Sequence, residues 1–358
     1  CEYLKELDLP FNIEGAICFN NQAQFNPVRY IKGLVNKLLE NNVEIYENTK
    51  ATNIEKNEYD YIVTTEKGKI QAKYVIIASH YPFLKFKGLY SAKMYQSMSY
   101  LIAVETKKEL PNGMYINISN PNISIRTAEY EGKQILLIGG GDHKTAKATT
   151  YEESYGRLEK FTKKYYPDAK ILKKWDAEDC ISLDKLPYIG QASTFLPNVY
   201  VATGYKKWGM TFSNVATNII VDSIRGIENP YSDIFSSLRL QPVKNYEEVK
   251  NILVDSSKGL LIDKIKEADI LNYDLKCDTG KIIEIDGQKI GVYKSAEGQI
   301  YAIKPICTHL GCLLNWNQID KTWDCPCHGS RFDYLGKNIS DPAFEDLERI
   351  EIDRDKEV

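Results

Sequence analysis

Four residues towards the end of the chain have the types and the spacing of a metal-binding site. One residue separates Cys307 from His309, two residues separate Cys325 from His328, and fifteen residues lie between the two pairs. Thiolates and neutral imidazoles are good ligands for zinc and for iron. The pattern therefore predicts a metal centre that two short loops hold from opposite sides.

Zinc and an iron–sulfur cluster are the two alternatives for this centre. Zinc fingers usually place two cysteines in one half of the motif and two histidines in the other. Here each half carries one cysteine and one histidine, together with a second cysteine at Cys312 or Cys327.

The segments CTHLGC and CPCHGS resemble the ligand loops of Rieske iron–sulfur proteins. The resemblance implies a 2Fe–2S cluster in which Cys307 and Cys325 hold one iron and His309 and His328 hold the other. Imidazole ligands make the cluster less negative than four thiolates would, which raises its reduction potential. This full motif favours the cluster over zinc.

The same resemblance assigns roles to four more residues. In Rieske proteins of respiratory cytochrome bc complexes, cysteines at the positions of Cys312 and Cys327 form a disulfide, whereas two free thiols are the alternative for a cytosolic protein. Ser330 matches a serine that donates to a bridging sulfide. The usual tyrosine two positions later is Phe332 here, so we expect a potential below the top of the Rieske range.

The residues before these loops predict a mixture of helices and strands. Asn26-Pro27 is a favoured helix start, and apolar residues at helical spacing follow it. Strands are expected over residues 43–54, 61–65 and 69–72. The apolar run 74–79 is typical of a strand buried on both faces.

The order of these segments resembles the D-amino-acid oxidase family of FAD-dependent oxidoreductases. The segments that carry the resemblance are residues 25–55, 73–79, 175–190 and 198–226. In that family, the helix expected here from about Thr211 points its N-terminus at the flavin, where its positive end favours the anionic reduced ring.

The resemblance implies a set of flavin contacts. Ala51 would contact the adenine through its backbone, and Ser79 would lie on the pyrophosphate side. The alternative is that the glycines only form turns and that Trp208 belongs to the core. The candidates beside the flavin ring are Gly204, Trp208, Gly209, Met210 and Thr211.

One family feature is not found in the sequence. The G-x-G-x-x-G motif that binds the FAD pyrophosphate should follow the first strand, but nothing before Asn26 supplies it. Gly139–Gly141 follow a strand without a convincing helix after them. We therefore expect a chain that lacks the N-terminal dinucleotide-binding unit, and FAD in the full-length protein rather than in this fragment.

The expected fold class combines α+β and α/β structure. Residues 1–240 would form a truncated FAD-dependent oxidoreductase domain with an antiparallel substrate sheet, residues 241–268 a helical linker, and residues 269–358 a small all-β Rieske domain. Within this last part, Asp286-Gly287 is a hairpin signal.

Composition and charge exclude several functions. Hydrophobic residues make up 43% of the 358 residues, and the formal net charge is −3. Neither a basic block for nucleic acid nor an apolar run for a membrane span is visible. We expect a cytoplasmic protein whose partners are a small-molecule substrate and an unidentified electron acceptor.

The function expected is an oxidoreductase that passes electrons from a small substrate, such as an amine or amino acid, through FAD to the cluster. The alternative is a non-catalytic Rieske carrier or redox sensor on a degenerate flavoprotein scaffold. A Rieske oxygenase would need two further histidines for a mononuclear iron. Only His80 and His143 remain, without a motif. His143 is expected in a surface loop, and the alternative is an active-site residue.

Overall fold

The structure is a computed structural model that describes residues 1–84, 89–109, 111–119, 122–147, 150–239, 264–266, 269–270 and 273–353. The chain divides into two compact units. The first comprises Cys1–Thr49, Met98–His143 and Thr150–Ala177, and the second comprises Lys50–Ser97, Lys144–Thr149 and Glu178–Val358.

The helices of the described residues are α1 (Pro27–Glu40), α2 (Tyr90–Lys93), α3 (Tyr155–Tyr165), α4 (Gly209–Arg225) and α5 (Ser232–Phe235). The strands before residue 240 are β1 (Glu2–Leu4), β2 (Ala16–Cys18), β3 (Ala51–Lys56), β4 (Tyr61–Thr65), β5 (Gly68–Ala72), β6 (Val75–Ile77), β7 (Met94–Glu105), β8 (Met114–Ile116), β9 (Ile123–Tyr130), β10 (Lys133–Lys144), β11 (Lys170–Ser182), β12 (Tyr188–Ser193) and β13 (Leu196–Thr203). The later strands are β14 (Lys264–Lys266), β15 (Thr279–Ile285), β16 (Gln288–Lys294), β17 (Ile300–Ile303), β18 (Asn315–Asn317), β19 (Thr322–Asp324), β20 (Arg331–Asp333), β21 (Asn338–Ser340) and β22 (Arg349–Asp353). Among the described residues, no helix is long and apolar enough to cross a membrane.

The first unit contains α1 and most of a five-stranded sheet in the order β11-β7-β10-β9-β8. Strand β9 pairs antiparallel with both β8 and β10, as expected for the substrate sheet. Gly139–Gly141 lie inside β10, so they do not open a helix. The predicted start of α1 is confirmed, because the side chain of Asn26 accepts a hydrogen bond from the backbone N–H of Arg29 at 3.1 Å.

The second unit contains two small sheets from the flavoprotein-like sequence. Strands β3, β4 and β5 form an antiparallel meander, but residues 43–50 form no strand, which corrects the prediction there. Strands β12, β13 and β6 form the other sheet, in which β13 and β6 are parallel. The predicted burial of β6 on both faces is wrong, since the side chain of Ile76 is 51% exposed.

Residues 273–353 belong to the second unit and form an all-β region. Its strands, joined by β14, form sheets with the orders β14-β22-β17-β16-β15 and β18-β19-β20-β21. The hairpin predicted at Asp286-Gly287 is confirmed, because Ile285 pairs with Gln288 across that turn. The predicted helical linker 241–268 lies largely outside the described residues, except for β14, which is a strand parallel to β22.

Candidate cluster and flavin sites

The first predicted ligand loop joins β17 to β18. The backbone N–H of Cys307 donates to the carbonyl oxygen of Cys312 at 2.8 Å, and the N–H of Gly311 donates back to the carbonyl of Cys307 at 2.9 Å. Gly311 has a φ of 75°, a left-handed conformation that glycine adopts without strain. These bonds close the loop around the side chains of Cys307 and His309.

The second ligand loop joins β19 to β20 and repeats the same backbone pattern. The N–H of Cys325 donates to the carbonyl of Ser330 at 2.8 Å, and the N–H of Gly329 donates to the carbonyl of Cys325 at 3.0 Å. Gly329 has a φ of 89°. The two loops are thus equivalent in backbone structure, although their cysteine–histidine spacing differs by one residue.

The two cysteines predicted as ligands lie together in the core. Cys307 and Cys325 are buried. The neighbouring thiol of Cys325, together with the backbone N–H groups of His309 and Leu310, lowers the pKa of Cys307 to about 7 despite its burial. Cysteine binds iron as the thiolate. Two neighbouring cysteines, one of which has a lowered pKa, are therefore suited to bind the same iron.

The two histidines predicted as ligands also face one another. Their ring centroids are 5.1 Å apart, and burial lowers the pKa of His309 to about 4 and that of His328 to about 3. Both Nδ1 atoms are buried without a hydrogen-bond partner among the described residues. Neutral imidazoles with unmet nitrogen atoms are suited to metal coordination, so these four residues fit a Rieske cluster.

The predicted disulfide between Cys312 and Cys327 is present, with the two Cα atoms 6.6 Å apart. It links the two ligand loops directly. The sulfur atoms of this pair lie within 4.8 Å of the sulfur of Cys325. Because two of those three sulfurs are bonded to each other, that trio is not itself a metal site.

Ser330 and Phe332, the residues predicted to surround the cluster, are fully buried. The hydroxyl of Ser330 interacts with the thiol of Cys307 and lowers its pKa, while its oxygen accepts from the N–H of Ala343 at 3.0 Å. Phe332 packs in the core that contains both ligand cysteines, and its side chain has no polar atom to offer.

A buried ionic network supports the second ligand loop. Arg331 pairs with Asp320 at 2.6 Å and with Asp324 at 3.3 Å. Asp324 also accepts from the hydroxyl of Thr322 at 2.6 Å and from the side-chain amide of Asn317 at 2.9 Å. Buried charges are stable only when paired in this way, and the network fixes the strands on both sides of Cys325.

Both predicted ligand histidines contact the flavoprotein-like part of the second unit. The ring of Tyr81 meets that of His309 edge-on, with centroids 6.5 Å apart. The backbone of Ser91 lies beside the imidazole of His328, where it opposes part of the lowering of the His328 pKa by burial. Both predicted ligand rings thus lie against the flavoprotein-like part.

A cavity of about 400 Å³ lies beside His309. Residues from both sequence regions form its walls: Thr52, Tyr81, Pro82, Tyr90 and Ser91 from one, and Thr308, His309, Leu310, Pro342, Phe344 and Glu345 from the other.

The second ligand loop also packs closely against the flavoprotein-like part. At Gly329 there is no room for a side chain, because an added Cβ atom would lie 2.3 Å from the Cβ of Gln96 and 3.0 Å from a carboxylate oxygen of Glu178. Glu178 accepts hydrogen bonds from the hydroxyls of Ser340 and Thr145. Burial raises the pKa of Glu178 to about 7, although both hydrogen bonds oppose that shift.

The predicted flavin contacts are more dispersed. Ser79 follows β6 and Gly204 follows β13, and these parallel strands end side by side, where Thr203 donates to the carbonyl of His80. Gly204 has a φ of 72°. Ala51 is the first residue of β3, in the other small sheet.

The remaining flavin candidates lie at the start of α4. This helix begins at Gly209, two residues before the predicted start, and its first turn includes Met210 and Thr211. Trp208 is the N-cap residue, makes no side-chain capping bond and is 63% exposed, so it is not a core residue. The free backbone N–H groups at an uncapped helix start favour negative charge, so this position is suited to lie beside the ring of a reduced flavin.

Sequence reasoning missed several residues of the cluster surroundings. Tyr81, Ser91 and Glu178 carry no motif, and their roles depend on contacts between segments far apart in the chain. Tyr81 lies only two residues beyond Ser79, which is the one local hint. His143, expected in a surface loop, lies in β10, and its Nε2 is 2.9 Å from the hydroxyl oxygen of Tyr100.

Comparison with known proteins identifies two families in the chain. Residues 2–222 match the family model described as FAD dependent oxidoreductase, and residues 269–351 match the Rieske [2Fe-2S] domain. These families imply FAD and a 2Fe–2S cluster as cofactors.

Individual relatives cover different parts of the chain. YhfW of Bacillus subtilis (strain 168), whose name assigns it to the Rieske 2Fe-2S iron-sulfur proteins, is 35% identical over 98% of this chain and 69% of its own length. The cytochrome b6-f complex iron-sulfur subunit of Chlorobaculum tepidum is 41% identical over 22% of this chain and 43% of its own length. The glycine oxidase structure from Geobacillus kaustophilus aligns with a TM-score of 0.46 and 20% identity, over 55% of this chain and 54% of that one.

This chain therefore spans about two thirds of its Bacillus relative and about half of the other two proteins. The match over residues 2–222 covers more than half of the chain, and the Bacillus relative is similar across nearly all of it. The chain belongs to the FAD dependent oxidoreductase family and carries a Rieske [2Fe-2S] domain over residues 269–351.

Proposed function

We propose that the protein oxidises a small substrate with FAD and passes the electrons to a Rieske cluster and then to an acceptor. The contact of both predicted ligand histidines with the flavoprotein-like part supports this proposal most directly. The segment that follows β6 contains Ser79 on the predicted flavin side and Tyr81 against His309. Only one residue separates these two positions.

Four side chains would hold the cluster, and the start of α4 would lie against the flavin. When bound, FAD takes a hydride from the substrate, whereas a 2Fe–2S cluster accepts one electron at a time. Cys307 and Cys325 would bind one iron as thiolates, and His309 and His328 would bind the other through Nδ1. Burial of Cys307, Cys325 and His328, with partial burial of His309, limits water at the cluster and preserves the neutral imidazoles.

Substrate and location belong to the same proposal. The family resemblance favours an amine or amino acid as substrate and a cytoplasmic location. The alternative, a Rieske carrier or redox sensor that oxidises no substrate, is supported by the contrast between complete cluster loops and dispersed flavin contacts. Both functions require an electron acceptor.

An anaerobic titration of the complete protein, including any sequence outside residues 1–358, distinguishes these functions. Amines and amino acids are added while flavin absorbance and the EPR signal of the reduced cluster are recorded together. We expect a substrate to bleach the flavin and the cluster signal to follow. A cluster that is reduced only by dithionite, in protein without flavin, would contradict the enzyme and favour the carrier.

A further inference from the structure

Tyr81 carries a buried hydroxyl with no hydrogen-bond partner among the described residues. The residue is only 2% exposed. A buried hydroxyl without a partner is destabilising, so native structures usually provide one through protein, water or a bound group.

The surroundings of Tyr81 include a predicted cluster ligand. Its ring meets that of His309 with the centroids 6.5 Å apart, and both residues line the cavity of about 400 Å³ beside the first ligand loop. Burial raises the pKa of Tyr81, and Cys180, Asp341 and Cys325 act in the same direction. Of these neighbours, His309 and Cys325 belong to the predicted cluster.

Three unmet polar atoms therefore lie on the two predicted ligand histidines and on the tyrosine that packs against one of them. Two are the Nδ1 atoms of His309 and His328, which are the predicted ligand atoms, and the third is the hydroxyl of Tyr81. Thiolate and sulfide are acceptors, whereas a tyrosine hydroxyl can donate. A single bound cluster would satisfy all three atoms.

We propose that the Tyr81 hydroxyl donates a hydrogen bond to sulfur at the cluster site, to Cys325 or to the sulfide beside it, and so raises the reduction potential. This inference rests on the cluster assignment in the proposed function. Reduction adds negative charge, and a donor stabilises the reduced state more than the oxidised state. Phe332 cannot provide such a donor, so Tyr81 supplies it from outside the Rieske domain.

The Tyr81 hydroxyl would also make the reduction potential of the cluster depend on contact between the flavoprotein-like part and the Rieske domain. Tyr81 belongs to the core of the flavoprotein-like part, together with Tyr90 and Tyr188. The hydroxyl can reach the cluster sulfur only while this core and the ligand loops are in contact. The potential of the cluster is then partly a property of that interface.

The test is an EPR-monitored redox titration of the complete protein with chemical mediators and dithionite, which requires no substrate. Tyr81→Phe removes only the hydroxyl, and we expect the equilibrium constant for cluster reduction to fall about tenfold, ~59 mV for one electron. Tyr188→Phe is the matched control, because it removes another unpartnered hydroxyl from the same core. Its potential should equal that of the wild type.

A second measurement detects the hydrogen bond itself. Proton ENDOR of the reduced cluster after transfer to D2O should show one exchangeable proton fewer in Tyr81→Phe than in the wild type. An unchanged potential with an unchanged set of protons would overturn the role of Tyr81 and leave the cluster assignment intact. A protein without a Rieske EPR signal would overturn both.

Discussion

The predicted ligand loops and the predicted flavin contacts of the second unit differ in how completely this chain forms them. All predicted cluster residues lie within Cys307–Phe332, in two loops with the same backbone hydrogen bonds, and both ligand cysteines are buried. The flavin candidates come from β3, the ends of β6 and β13, and the start of α4, and Trp208 and Met210 are exposed. A buried, self-contained site should respond strongly to single substitutions, whereas an open surface should not.

The largest effect should follow removal of a predicted ligand. Cys307→Ser should abolish the cluster, because a neutral hydroxyl is a poor replacement for a buried thiolate. Iron and sulfide content, together with the visible spectrum, measure the loss. Cys277→Ser, at an exposed free cysteine, is the control and should leave the cluster intact. A full cluster in Cys307→Ser would contradict the ligand assignment.

The next effect concerns the ionic network beneath the second loop. Arg331→Met should lower the free energy of unfolding by about 3–5 kcal/mol, because the buried carboxylate of Asp324 then loses its ion partner. Arg29→Met breaks an exposed ion pair with Glu129 and should change it by less than ~1 kcal/mol. Chemical denaturation of both variants gives the comparison. Equal effects would show that the network does not support the loop.

The disulfide between the loops should have a smaller effect on stability. Its cysteines are 15 residues apart in sequence, and a link across a loop of that length contributes about 3 kcal/mol. The double variant Cys312→Ala/Cys327→Ala should lose that amount and release iron faster under chelator. Retention of wild-type stability and iron would show that the ligand loops are held by packing alone.

The sequence predicted the ligand loops well because their chemistry is local. Cys307, His309, Cys325 and His328 are recognisable by type and spacing, and a disulfide between their loops followed from the same resemblance. The start of α1 was also predictable, since Asn26 caps it through its own side chain.

The partners of those loops were not predictable for a physical reason. Tyr81, Ser91 and Glu178 reach the cluster region only through folding of distant segments, and no local pattern marks such contacts. The strand predicted over residues 43–50 does not form. The predicted burial of β6 on both faces was also wrong, because burial depends on the neighbouring strands and not on the apolar run itself. Ile76 is apolar but half exposed.

The pH dependence of the unfolding free energy tests the role of Glu178, which lies beside the second ligand loop. Glu178 is expected to titrate near pH 7 in the folded state against an ordinary value of 4.5. Because the folded state holds this proton more tightly, stability should fall as pH rises from ~4.5 to ~7. A pKa raised from 4.5 to about 7 corresponds to about 3 kcal/mol of stability.

Glu178→Gln removes this titration while retaining the size of the side chain. Its unfolding free energy should therefore decline less between pH 4.5 and pH 8 than that of the wild type, by up to that amount. Denaturation curves at several pH values provide the measurement. Parallel pH profiles for the two proteins would show that the carboxyl group does not cause the dependence.

The smallest effect should come from adding a hydroxyl inside the Rieske domain. Phe332→Tyr places a new donor in the core beside the ligand cysteines, so we expect the reduction potential to rise by up to ~60 mV, or tenfold in the equilibrium constant. A redox titration measures it. Absence of an upward shift would show that this position does not account for the potential.

The most direct test of electron transfer from flavin to cluster requires no knowledge of the substrate. In the presence of an added sacrificial electron donor, a light pulse reduces the flavin of the complete protein anaerobically as the donor is oxidised, and absorbance then follows the flavin and the cluster at several protein concentrations. Because both sites lie in one chain and their regions are in contact, cluster reduction should follow flavin reduction at a rate independent of concentration. A rate that rises with concentration, or a cluster that stays oxidised, would contradict transfer within the chain.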